Sequence, residues 1–522
     1  MVSVGSKEKD EAEALLATDG RIAAVGSQGA VRAQAPADTE WVDLRGGALL
    51  PGFIDAHSHL TALAATMGLL DLSGAASLDD LSGRIRNAAS QMAPGAWVVG
   101  VGYDHNDLPG RRHPTRAELD AILPGRPVLL SHASGHMGVA NTAALEALGV
   151  TADAPDPEGG RIGREADGRT PSGYLEETAF TALAARMPQP TEAERMRNLE
   201  AAQGVYLAHG VTTVQDGLTR APDWALLRAA AEAGRLQVDV VAYADMQNSA
   251  GLLTQAGPEG RTYRGRLRLG GYKLLLDGSP QGRTAWLTQP YLGQPESRGY
   301  PIYTDDQLGF YVRQAAEQRV QLLAHCNGDA AAEQFLQALE AVARDVPNLP
   351  SLRPVMIHAQ LLRRDQLPRL AALGVVASFF VAHTYYWGDV HVDNLGLLRA
   401  AAISPVRTAL EAGVTYTLHQ DAPVLPPDML RTLACAVLRT TKGGRTLGPE
   451  ERVSLQEALR GVTCNAAYQY FEEGDKGTLE VGKRADLVWL EQDPTRVAPQ
   501  CLPDIRVAAT FVEGRCLYRA GT

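Results

Sequence analysis

Short apolar runs alternate with longer, mixed stretches through most of the chain. Eight of the runs read as strands: residues 49–54, 211–215, 238–242, 271–276, 320–324, 354–357, 375–379 and 415–418. Between them, residues 192–208, 223–233, 306–318 and 330–343 carry the three-to-four-residue apolar spacing of amphipathic helices. Strands alternating with helices predict parallel βα units, and eight such units predict an α/β fold, the (β/α)8 TIM barrel, with its active site at the C-terminal strand ends.

The two ends break this rhythm. Residues 13–16 and 22–25 are strand-like and flank the turn signal Thr18-Asp19-Gly20-Arg21. Residues 477–480, 485–490 and 507–516 are again short and β-rich. Neither end can bury a core alone, so a composite β-sandwich of residues 1–48 and 474–522 is expected around a barrel of 49–72 and 186–473. Over a hundred residues separate the first two strand runs, too many for a loop. Residues 97–102, 128–131 and the Gly/Asp/Pro-rich 153–172 predict an inserted subdomain over 73–185, expected to cover the active site.

Composition narrows the function. The 522 residues are 45% hydrophobic and 21% charged, which fits a globular protein of more than one unit. A net charge of −11 without an acidic tail argues against nucleic acid or an anionic membrane as partner. No apolar run reaches the roughly 18 residues that span a bilayer. The first ten residues lack the apolar core of a secretory signal, so a cytoplasmic protein is expected. Cys326, Cys435, Cys464, Cys501 and Cys516 are odd in number and widely spaced, which predicts free thiols.

The strongest local signal is Pro51-Gly52-Phe53-Ile54-Asp55-Ala56-His57-Ser58-His59. On a strand His57 and His59 would face one side, as two ligands of a borderline metal must. A chance pair on a half-buried strand is the competing reading, and the motif's place at the first barrel strand favours metal.

This stretch resembles the first-strand signature of the amidohydrolase superfamily. Further segments resemble its YtcJ-like, amidohydrolase-3 branch, which includes N-substituted formamide deformylases. They are Gly271-Tyr272-Lys273-Leu274-Leu275-Leu276-Asp277-Gly278-Ser279, Ala324-His325-Cys326-Asn327-Gly328-Asp329-Ala330, Met356-Ile357-His358-Ala359-Gln360 and Gln420-Asp421-Ala422-Pro423-Val424. Asp104-His105-Asn106 and the closing Lys476-Gly477-Thr478-Leu479-Glu480 match as well. The resemblance implies one or two divalent metals, with zinc the expected ion, held by His57, His59, Lys273, His325, His358 and Asp421. It implies that Lys273 is carboxylated to bridge them, and that Asp421 is also the general base. A salt-bridge lysine and satisfied core histidines are the bland alternatives.

The implied activity is metal-assisted hydrolysis of a C–N amide-type bond in a small molecule. Carbamate, imide or ester hydrolysis on the same site is the alternative, and a catalytically idle binding protein the remote one. The pair His419-Gln420 stands where the family usually has Gly-Ser, which leaves His419 open between a contact to substrate or to the metal ligands and a packing residue. Weaker substrate-contact candidates are Asp104, His105, His132 and His136 in the insertion, Arg283 after the fourth strand, and His383 with Tyr385, Tyr386 and Trp387 after the seventh. Cys326 is expected in the core. A homodimer is left open. No Gly-x-Ser-x-Gly elbow supports a serine hydrolase.

Overall fold

A computed structural model describes residues 12–521 except 136, 158, 185, 188 and 189. His136 therefore lies outside the described residues. The chain divides into two compact units, one holding residues 12–63 and 199–521 and the other Ala64–Asn198.

The first unit is organised by eight parallel strands in sequential order: β1 (Phe53–Ile54), β2 (Val211–Thr219), β3 (Asp239–Asp245), β4 (Leu267–Leu275), β5 (Gln321–Cys326), β6 (Val355–His358), β7 (Val376–Phe379) and β8 (Tyr416–Leu418). Their apolar residues other than Leu218 and Leu275 are buried, as sheets covered on both faces require. A flat sheet would hold β1 and β8 roughly 34 Å apart. Instead the chain after β1 meets the chain after β8, where the His59 N–H donates to the Ala422 carbonyl at 2.8 Å. The sheet is curled, in the manner of a TIM barrel. Among the described residues no ladder pairs β1 with β8. Ile54, Val241, Leu323, Ile357 and Val376 share one buried cluster.

Helices form where the spacing predicts them. Asp305–Glu317 starts on a Thr304/Gln307 capping box, and Asp329–Asp345 buries Ala331, Phe335, Leu339 and Val342 on one face.

The run over 49–54 is not one strand. Ala48–Pro51 belongs to a four-stranded antiparallel sheet with Leu487–Leu490, Val507–Val512 and Arg515–Arg519, whereas Phe53–Ile54 begins the parallel sheet. Gly52 makes the transfer possible, because a Cβ there would meet the Thr212 side chain at 2.6 Å. The hairpin Ala14–Thr18/Arg21–Gly26 adds Ile22 to a cluster with Leu49, Ala485 and Leu487. Residues 477–480 form no strand, although Leu479 is buried in the same cluster. The run over 507–516 is broken by a turn at Glu513, whose φ is +50°.

The second unit has a six-stranded sheet in the order Leu70–Asp71, Val98–Tyr103, Val128–His132, Met137–Ala140, Pro171–Glu177 and Gly160–Arg164. The first three strands are parallel. Among the described residues no helix is long and apolar enough to cross a membrane. All five cysteines are free, and Cys326 is buried.

Candidate metal centre

The site residues lie at or just beyond the C-terminal ends of β1, β4, β5, β6 and β8. His57 and His59 stand past the end of β1 rather than on it. Loop geometry, not strand alternation, makes them converge: His59 bridges to Asp216, and Ser58 O accepts the Gly217 N–H at 2.8 Å. Their ring centroids are 5.0 Å apart. Gly217 is required here, since a Cβ would meet His57 Cε1 at 2.7 Å.

His57 is buried, and its tautomer follows from its partners. Gln215, at the level of this loop on β2, donates Nε2–H to Ala56 O at 2.9 Å and to Tyr470 Oη at 3.0 Å. A carbonyl can only accept, so the Gln215 amide oxygen must face His57, 2.6 Å from Nδ1. The His57 proton thus sits on Nδ1, and the Nε2 lone pair points into the cage. Burial first, and the Lys273 amine second, push the His57 pKa down to about 3, so the ring stays neutral.

Asp421 Oδ1 lies 3.2 Å from His57 Nε2 and 3.3 Å from His59 Nε2. Burial would raise its pKa, but the facing imidazoles, His57 foremost, hold the carboxyl well below its ordinary range. Oδ1 makes no hydrogen bond of ordinary geometry among the described residues. Lys273 Nζ is 3.2 Å from the same His57 nitrogen. Burial lowers its pKa to about 7, against the pull of Asp421.

Two further imidazoles adjoin. His358 Nε2 is 3.0 Å from His325 Nδ1 and 3.9 Å from Asp421 Oδ2. His325 Nε2 lies 3.3 Å from Gly278 O and 3.0 Å from Asn327 Nδ2. Burial, then Lys273, brings His325 down to about 4. His358 and Asp421 have φ of +71° and +57°, in the left-handed region that disfavours side chains. Such strain clusters at functional sites, where the surroundings over-determine it.

His57, His59 and Asp421 are grouped as a divalent cation requires. The His57 Nε2 lone pair faces the Asp421 carboxylate oxygen as well as the Lys273 amine, and a cation beside Nε2 would relieve the repulsion between lone pair and carboxylate. The donors of His57, His59 and Asp421 lie within 4.8 Å of one another.

The other candidates are placed differently. His419 is fully buried, its ring centroid 5.1 Å from His57 and 5.2 Å from His358, and neither nitrogen makes a hydrogen bond of ordinary geometry among the described residues. Among the described residues the convergent donor group is His57, His59 and Asp421, and His419, like His325 and His358, lies outside it. His383 is buried, with Nδ1 3.1 Å from His391 Nε2, and it packs on Trp387 at 4.7 Å. Arg283 is tied to Asn394 Oδ1 at 2.8 Å. Asp104 and His105 belong to the second unit, beside His132. Sequence reasoning missed Gln215 and Gly217; their only trace was a glutamine ending an apolar run, followed by Asp-Gly.

Comparison with known proteins identifies the family. The sequence pattern of the amidohydrolase family matches residues 40–518. An N-substituted formamide deformylase from Arthrobacter pascens is 32% identical, covering 97% of this chain and 95% of its own length. A Bacillus subtilis (strain 168) protein named as amidohydrolase YtcJ is 28% identical, covering 98% and 97%. Among solved structures, an uncharacterized metal-dependent hydrolase from Pyrococcus furiosus superposes with a TM-score of 0.73 at 28% identity, covering 92% of this chain and 95% of that one. With the family pattern matched over most of its length and a relative 32% identical along nearly all of it, the chain belongs to the amidohydrolase family.

Proposed function

We propose that this chain hydrolyses a C–N amide-type bond in a small molecule, using one or two divalent metals with zinc the preferred ion. The observation that carries the reading is the apposition of the unprotonated His57 Nε2 and Asp421 Oδ1 at 3.2 Å. His57, His59, His325, His358, Lys273 and Asp421 would hold the metal, and nitrogen with carboxylate donors suits zinc. When bound, it would supply electrophilic polarisation of a carbonyl and acidification of a water.

The chain's own groups supply the proton handling. Asp421 accepts the proton of the attacking water on a carboxylate oxygen and returns it to the leaving nitrogen. Gln215 keeps the His57 proton on Nδ1, away from the reacting centre. Lys273, with a pKa near 7, keeps a share of free amine at neutral pH, as carboxylation by carbon dioxide requires. The likeness to a formamide deformylase supports a carbon–nitrogen bond as the target.

The test is elemental analysis of the purified chain with hydrolysis of N-formyl and N-acyl amines, carbamates and esters before and after chelation. Metal-dependent release of amine from the amides is expected. Turnover of esters alone, or turnover that survives complete metal removal, would overturn the reading.

A further inference from the structure

The second unit contains another convergence of metal-ligating side chains. Its parallel strands Val98–Tyr103 and Val128–His132 pair so that Tyr103 lies opposite His132. Asp104 and His105 leave the end of the first strand beside that residue. His105 Nδ1 is 3.1 Å from His132 Nε2, which is 3.4 Å from Asp104 Oδ1, and His105 Nδ1 is 3.7 Å from the same oxygen. A tetrahedral zinc ion with bonds of about 2.0–2.1 Å sets its donors about 3.3 to 3.4 Å apart. The three separations straddle that value.

The surroundings hold these donors in place. The His105 ring stacks on His113, with centroids 4.2 Å apart, and His113 Nδ1 is bonded to Tyr103 Oη at 2.9 Å. Asp104 Oδ1 accepts from the Asn106 backbone N–H at 2.8 Å and from its Nδ2 at 2.9 Å. Ser134 Oγ lies 2.9 Å from His132 Nδ1. It can accept the proton that an imidazole bound to metal through Nε2 must carry on its outer nitrogen. Asp104 and His105 are about a quarter exposed, which leaves a path for an ion and its water.

We propose that Asp104, His105 and His132 form a second divalent-cation site, taking a borderline ion such as zinc with water at the remaining position. The competing state is defined by the Ser134 backbone N–H, 3.1 Å from His132 Nδ1. With no cation that N–H donates to Nδ1, and the ring proton sits on Nε2 between His105 and Asp104. The two states differ in the tautomer of His132.

The test uses the full-length chain dialysed against zinc chloride and then freed of excess metal. Anomalous scattering at the zinc edge should place an ion within bonding distance of the three residues. Metal content should fall by one equivalent in the Asp104→Asn/His132→Gln double variant. Nitrogen-15 spectra of the histidines should show His132 protonated on Nδ1. No zinc at these residues, unchanged content in a folded double variant, or a His132 proton on Nε2 in the zinc-treated chain overturns the proposal. Should the variant fail to fold, the scattering and the spectrum of the unmodified chain decide. Zinc in the barrel cage alone sinks this inference and leaves the hydrolase reading intact; zinc at Asp104 alone does the reverse.

Discussion

Replacing Gln215 by leucine removes the acceptor that fixes His57 and keeps a side chain of similar bulk. Gln215 is fully buried, and its 2.6 Å contact is the hydrogen bond recorded for His57 Nδ1. An unsatisfied buried donor costs about 1–3 kcal/mol. The ring can escape that cost by turning or by moving its proton to Nε2, and either removes the lone pair from the cage. Since about 1.4 kcal/mol is tenfold in affinity, Gln215→Leu should weaken zinc binding roughly 10- to 100-fold, the range typical for loss of a group that orients a ligand. The fold should hold. Ala56 O keeps the Gln469 Nε2 donor at 2.7 Å, and Tyr470 Oη still donates to Asp55 O at 2.7 Å. Competition against a chromogenic chelator gives both dissociation constants, and circular dichroism checks the fold. Activity should return at saturating zinc. A folded variant with wild-type zinc affinity would refute the assignment of the His57 tautomer and the cage argument built on it.

Asp421→Asn should lower kcat by at least ~100-fold, the lower end for a lost general base, with an unchanged thermal melt; kcat near wild type removes Asp421 from that role. Gly217→Ala should displace the His57 ring, because the new Cβ would stand 2.7 Å from Cε1. Misplacing a reacting group by 1 Å can cost about 100-fold, so a kcat/KM loss of that order is expected, and none would show that the loop can yield. Asp239, buried on β3, meets Lys476 at 2.6 Å, Arg484 at 2.5 Å and Arg266 at 2.9 Å. Burial alone would raise its pKa, but these cations outweigh burial and hold the carboxyl below its ordinary range. A depressed folded pKa gives stability that is present above about pH 4 and lost as pH falls below it. Asp239→Asn should therefore cost about 3–5 kcal/mol at pH 7 and flatten the acid limb of stability, read by urea unfolding at pH 7 and pH 3; equal losses at both would contradict the linkage.

Much of the fold was legible because local physics sets it. Parallel strands buried on both faces must be apolar runs, and the helices between them must carry an apolar stripe, so the run around Lys273 and the runs before His325 and His358 announced themselves. The run over 49–54 did not announce its division, since its residues are apolar throughout and only the crowding around Gly52 shows where the chain leaves one sheet for the other. The six candidate ligands were legible as residue types in order along the chain, through their motifs and strand ends. Their mutual arrangement was not. Which nitrogen of His57 carries a proton depends on Gln215, 158 positions away, and Gln215 is itself oriented by Ala56 O and Tyr470. His419, placed beside the candidate ligands by the sequence, lies next to the His57 and His358 rings, while Asp104, His105 and His132 form their own cluster in the other unit. Patterning along the chain determines which residues are buried and in which element; only the curling of the sheet, which brings the segment after β1 to the segment after β8, decides which lone pairs face one another, because that is a contact between residues hundreds of positions apart.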